Sequence, residues 1–147
     1  MKTWADFHAL VMPWVIGCPI PTIDAALVRA ARKFCDGTRA WTETTDATAN
    51  GSTDMIDFDM PTSAEIVRVV AAKVGAKDYD DKVFDRLPST WPEHEAPPGI
   101  YMAPEGQFAV SPRPIAGTAI RLDVAYKPKL SAQQAGDVLF DSYGEDI

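Results

Sequence analysis

Cysteine and histidine are scarce in this chain. It holds two cysteines, Cys18 and Cys35, and two histidines, His8 and His94. The cysteines stand too far apart for a CxxC redox or zinc pair. Two histidines cannot supply a three-histidine centre, and no ligand spacing points to a mixed Cys/His zinc site. HExxH, GxSxG, a phosphate-binding glycine loop and a dinucleotide fingerprint are all missing. No metal or other cofactor is therefore expected. Long apolar runs are missing too: the richest, Ile66 to Val74, is short and is broken by Arg68 and Lys73, which argues against a membrane span. An acid and a histidine come early, at Asp6 and His8, so no signal peptide is expected and synthesis is placed in the cytoplasm. Positive charge is thin. The net charge is −7, and cations cluster only from Arg29 to Arg39, which speaks against direct binding of duplex DNA through its phosphates.

What is present fits a folded α+β chain: 46% of its 147 residues are hydrophobic and 24% charged, with no repeats or low-complexity tracts. Thr3 and Asp6 form a capping pattern for a short helix from Trp4 to Met12, which Pro13 stops. Val15 to Pro21 reads as a rigid, turned loop, and Thr22 as the cap of a second helix reaching toward Trp41. Ile23, Leu27, Ala30, Phe34 and Trp41 recur near a helical period, with Ala25, Ala26 and Ala31 allowing close approach and Arg29, Arg32, Lys33 and Arg39 opposite. Cys35 lies beside that stripe, so both thiols are read as small packing residues in a reducing compartment.

After Trp41 the period changes. The β-branched 42–46 stretch, a turn at Asn50-Gly51 and the alternation from Ile56 to Met60 predict a hairpin with Ile56, Phe58 and Met60 facing in. Residues 62–74 carry two signals: a capping box at Thr62 to Glu65 and a β-branched run from Ile66 to Val70. The second favours a short turn followed by a strand ending near Gly75. One or two helical turns are expected between Asp81 and Leu87. Strands are expected at 100–102, 107–110 and 118–126, and a capping box at Ser131 to Gln134 predicts a C-terminal helix through Tyr143. The expected organisation is one α+β domain over 1–147: N-terminal helices (1–41) packed with a mostly antiparallel sheet (42–128), then a C-terminal helix (129–147).

Candidate chemistry is slight. Glu93-His94-Glu95 sets two carboxylates around an imidazole, but in an extended loop the acids point one way and His94 the other. The prolines 92, 97 and 98 mark a surface loop. Asp54, Asp57 and Asp59 alternate as the polar face of a strand. A small hydrolase acting through Glu93, His94 or Asp57 is one alternative, and a module that binds a protein or small ligand through its sheet face is another. No catalytic residue is assigned. The residues singled out for a possible interface are Trp4, Trp14, Arg29, Arg32, Phe140 and Tyr143, with tryptophan at an edge serving either as an anchor or as the closure of a small core.

The succession of features resembles a known family. Trp4 to Phe7, Gly17 to Pro19, Ala25 to Cys35 and Thr38 to Trp41, then Ile56 to Pro61, Val67 to Val69 and Ile120 to Pro128, are similar in kind and order to the head–tail connector (adaptor) proteins of tailed bacteriophages and prophages. The resemblance implies a structural virion protein of the neck without catalytic residues. It would form a ring, with the portal's twelvefold symmetry, between the portal protein and the next neck or tail protein. DNA would pass through the lumen without specific binding. Synthesis and assembly would take place in the host cytoplasm, without a membrane.

Overall fold

A computed structural model describes residues 1–51, 55–86, 97–103 and 106–143. In chain order it runs β1 (Lys2–Thr3), a 3-10 turn (Trp4–Phe7), α1 (His8–Val11), a second 3-10 turn (Met12–Trp14), α2 (Ile20–Thr38), β2 (Trp41–Thr48), β3 (Ile56–Asp57), β4 (Ala64–Val74), β5 (Lys77–Asp78), β6 (Val83–Phe84), β7 (Gly99–Ala103), β8 (Gln107–Ser111), β9 (Ala119–Pro128), β10 (Gln134–Ala135) and α3 (Asp137–Tyr143). The class is α+β with a C-terminal helix. Strands pair as β1-β10, as β2-β9-β4-β5 and as β3-β8-β7-β6. The β1-β10, β3-β8, β4-β5 and β7-β8 pairs are antiparallel, and β6 runs parallel to β7. Two compact units emerge: residues 1–42, 61–67 and 125–147, and residues 43–60 and 68–124.

The first unit is organised around α2. Its buried residues Ile23, Leu27, Ala31 and Cys35 recur every fourth position, one stripe of a helix. The helix starts earlier than Thr22, on Pro19, with Pro21 inside the first turn, where a missing N–H is not needed. It also stops short of Trp41. Arg39 takes the left-handed conformation at φ 56° and donates its N–H to the Cys35 carbonyl at 2.9 Å, which ends the helix. Trp41 instead opens β2, fully buried, with its ring 5.8 Å from Tyr126 of β9. The capping box expected at Ser131 does not open α3. Gln134 and Ala135 are taken by β10, where Thr3 pairs with Gln134 and Lys2 with Ala135, and α3 begins after Gly136. Pairing with the chain's first residues outweighs the local cap.

In the second unit the expected hairpin is not formed. The strand β2 pairs with β9, while β3 pairs with β8, Ile56 opposite Phe108 and Asp57 opposite Gln107. Ile56 and Phe58 are nonetheless buried and Met60 half-buried, as the alternation requires, and Phe58 donates its N–H to the Gly106 carbonyl at 2.8 Å. Residues 81–86 hold no helix. Val83 and Phe84 form β6 beside Ile100 and Tyr101, and the Phe84 and Tyr101 rings stack at 5.1 Å. Residues 64–74 are strand, preceded by a turn. The residues Ile120, Leu122 and Val124 of β9 are buried. Between them Arg121 pairs with Asp46 at 3.0 Å, and Asp123 accepts a hydrogen bond from Thr44 at 2.6 Å. Alternation thus buries one face of the strand and leaves charge on the other.

Candidate interaction surface

Between His8 and Thr22 the chain carries no charged or hydroxyl side chain. In the first unit this stretch forms a shaped outer surface. It comprises the end of α1, the 3-10 turn containing Pro13, and a turn at Gly17, whose φ is +81°. Val15 donates its N–H to the Met12 carbonyl at 3.3 Å and Cys18 donates to Val15 at 3.0 Å, so the backbone is held by its own hydrogen bonds. At its two ends His8 Nε2 lies 2.7 Å from Asp24 Oδ1, while Phe7 and Ile23 are buried. The apolar residues between them turn outward. Ile16 is 92% and Trp14 88% exposed, and Leu10, Met12, Val15 and Ile20 are exposed beside them. A tryptophan brings about 150–250 Å² of apolar surface to a contact. A contiguous exposed apolar patch of this kind marks a surface made to be covered.

Of the six residues singled out from the sequence, four are engaged inside the first unit. Trp4 is 3% exposed, donates its indole N–H to the Ala132 carbonyl at 2.6 Å, and packs 5.8 Å from the Phe140 ring. Phe140 itself sits 4.1 Å from Phe7, and Tyr143 lies 5.4 Å from Phe34. Arg32 donates to the Pro128 carbonyl at 2.6 Å and to the Glu65 carboxylate at 3.1 Å. The remaining two, Trp14 and Arg29, are exposed. Leu10, Met12, Ile16 and Ile20 were not singled out. Their signal was present as an uncharged connector between two helices, since connectors are usually polar.

Cys35 is fully buried, and burial pushes its thiol up to about 11, so it stays protonated and acts as a small apolar packing group. Cys18 departs from the packing expectation. It is half-buried and lies in the loop ahead of α2, not on the helix. Asp57 accepts from the Gln107 side chain at 2.8 Å on an exposed strand edge. Asp54, Glu93, His94 and Glu95 lie outside the described residues. Among the described residues no group of three His, Cys, Asp or Glu side chains converges as a metal site, and no helix is long and apolar enough to cross a membrane.

The second unit has an apolar projection of its own, in the loop from Pro112 to Gly117. Ile115 is 83% exposed there. Its carbonyl accepts from both the N–H and the hydroxyl of Thr118, at 3.1 and 2.7 Å, and Gly117 donates to the Ala49 carbonyl at 2.8 Å. The loop is therefore fixed from beneath while its side chain points out.

Residues 2–145 match the family model described as SU10 adaptor protein. The chain belongs to that family. Membership makes it a phage adaptor and a virion component, a structural role in which an outward apolar segment has an evident use. No curated protein matches the chain.

Proposed function

We propose that this chain is the adaptor of the phage neck: a ring, twelvefold like the portal, that docks on the portal protein and offers a platform to the next neck or tail protein. It performs no catalysis, is made and assembled in the host cytoplasm, and ends in the virion neck. The observation that supports this most is the outward apolar surface from Leu10 to Ile20 in a chain matched to the adaptor family over nearly its whole length. The charge balance fits as well. A net charge of −7 repels passing phosphates, which suits a conduit that must not hold DNA.

Mixing the chain with portal rings from the same genome and weighing the product by native mass spectrometry tests the proposal. A mass increment of one copy per portal subunit is the expected result. Portal rings that gain no mass would overturn the portal-docking role.

A further inference from the structure

The proposed ring, on which this inference rests, requires copies of an acidic chain to stand side by side. Each carries a net charge of −7, so neighbouring copies repel unless they meet where charge is lacking. Leu10 to Ile20 is such a place, with no charged side chain between His8 and Asp24. A cyclic ring also needs a heterologous contact, in which one patch of each copy meets a different patch of the next, because a self-complementary patch closes a dimer instead. A second patch exists in the other unit, on the loop from Pro112 to Gly117 with Ile115 at its tip. That loop carries no acidic side chain, and its single charge is the exposed cation Arg113. Both patches are held by backbone hydrogen bonds, so little ordering cost attends their contact.

We infer that the Trp14–Ile16 surface of one copy seats against the Ile115 loop of the next copy. The two patches are thus the two halves of the copy-to-copy contact.

Photo-crosslinking in the assembled complex tests this. The full-length chain carrying p-benzoylphenylalanine in place of Trp14 is assembled on portal rings, irradiated, and the products are separated by mass and sequenced. The expected product is a ladder of crosslinked copies of this chain, joined through the peptide that contains Ile115. Crosslinks to the portal, or an assembled ring without crosslinks between copies, would overturn the inference while leaving the adaptor reading intact. Failure of the unsubstituted chain to load the portal at all would overturn both. As a second arm, Ile115→Asp is expected to keep the wild-type melting temperature, since the side chain is 83% exposed, and to lose the full-ring product. A full ring with Ile115→Asp would contradict the assignment.

Discussion

The indole N–H of Trp4 donates to the carbonyl oxygen of Ala132 at 2.6 Å, joining the first helical turn to the segment that leads into α3. Around this bond Phe7 and Phe140 pack at 4.1 Å, and β1 pairs with β10 beside it. Residues 2–7 and 132–140 are thereby tied together within one unit.

Trp4→Phe keeps an aromatic ring, though a smaller one, and removes the donor, leaving a buried carbonyl without its partner. The cost is expected to be about 1–3 kcal/mol. Trp4→Ala adds a cavity and is expected to cost about 3–5 kcal/mol. Urea unfolding measures both, and a wild-type midpoint for Trp4→Ala would refute the packing role of this tryptophan.

Gly136 stands where α3 meets the Trp41 ring. A Cβ there would lie 2.6 Å from Trp41 Cε2 and closer still to Nε1. Gly136→Ala must therefore displace a fully buried indole, and a loss of about 1–3 kcal/mol is expected. Gly37, near the end of α2, has nothing within 4 Å of such a Cβ. Gly37→Ala is expected to stabilise by up to about 1 kcal/mol. Thermal melts of the two variants should move in opposite directions, and equal shifts would show that the close contact at Gly136 is unimportant.

The fold was legible wherever burial pattern alone decides structure. The strand expected at 118–126 is there as β9, with Ile120, Leu122 and Val124 alternating into the core, and the β-branched run at residues 66–70 prevailed over the capping box before it. Legibility failed where the partner lies far along the chain. Nothing local in residues 42–46 says that β2 pairs with β9 instead of the neighbouring β3, and nothing in Ser131 to Gln134 reveals that β1 will claim β10. The interaction surface was half visible. Trp14 stood out as an aromatic, but Ile16 and Leu10 have the same composition as core residues, and only the fold shows which way they turn.

Cys35 gives a pH signature. Burial raises its thiol from an ordinary 9.0 to about 11, so the unfolded chain releases this proton first as pH rises. The folded state then binds more protons than the unfolded one, and stability falls between about pH 9 and 11. Cys35→Ala lacks that contribution. The stability difference between wild type and Cys35→Ala is expected to shrink across this window, with lysine and tyrosine titrations common to both proteins. A constant difference would contradict the account. Native alkylation is a companion check, in which half-buried Cys18 should react well before Cys35.

Cryo-electron microscopy of the neck in intact virions addresses the central claim most directly. The account predicts a ring of twelve copies of this chain directly beneath the portal, surrounding the DNA channel. A neck reconstruction in which the ring beneath the portal is built from another protein, with this chain absent from it, would contradict the account.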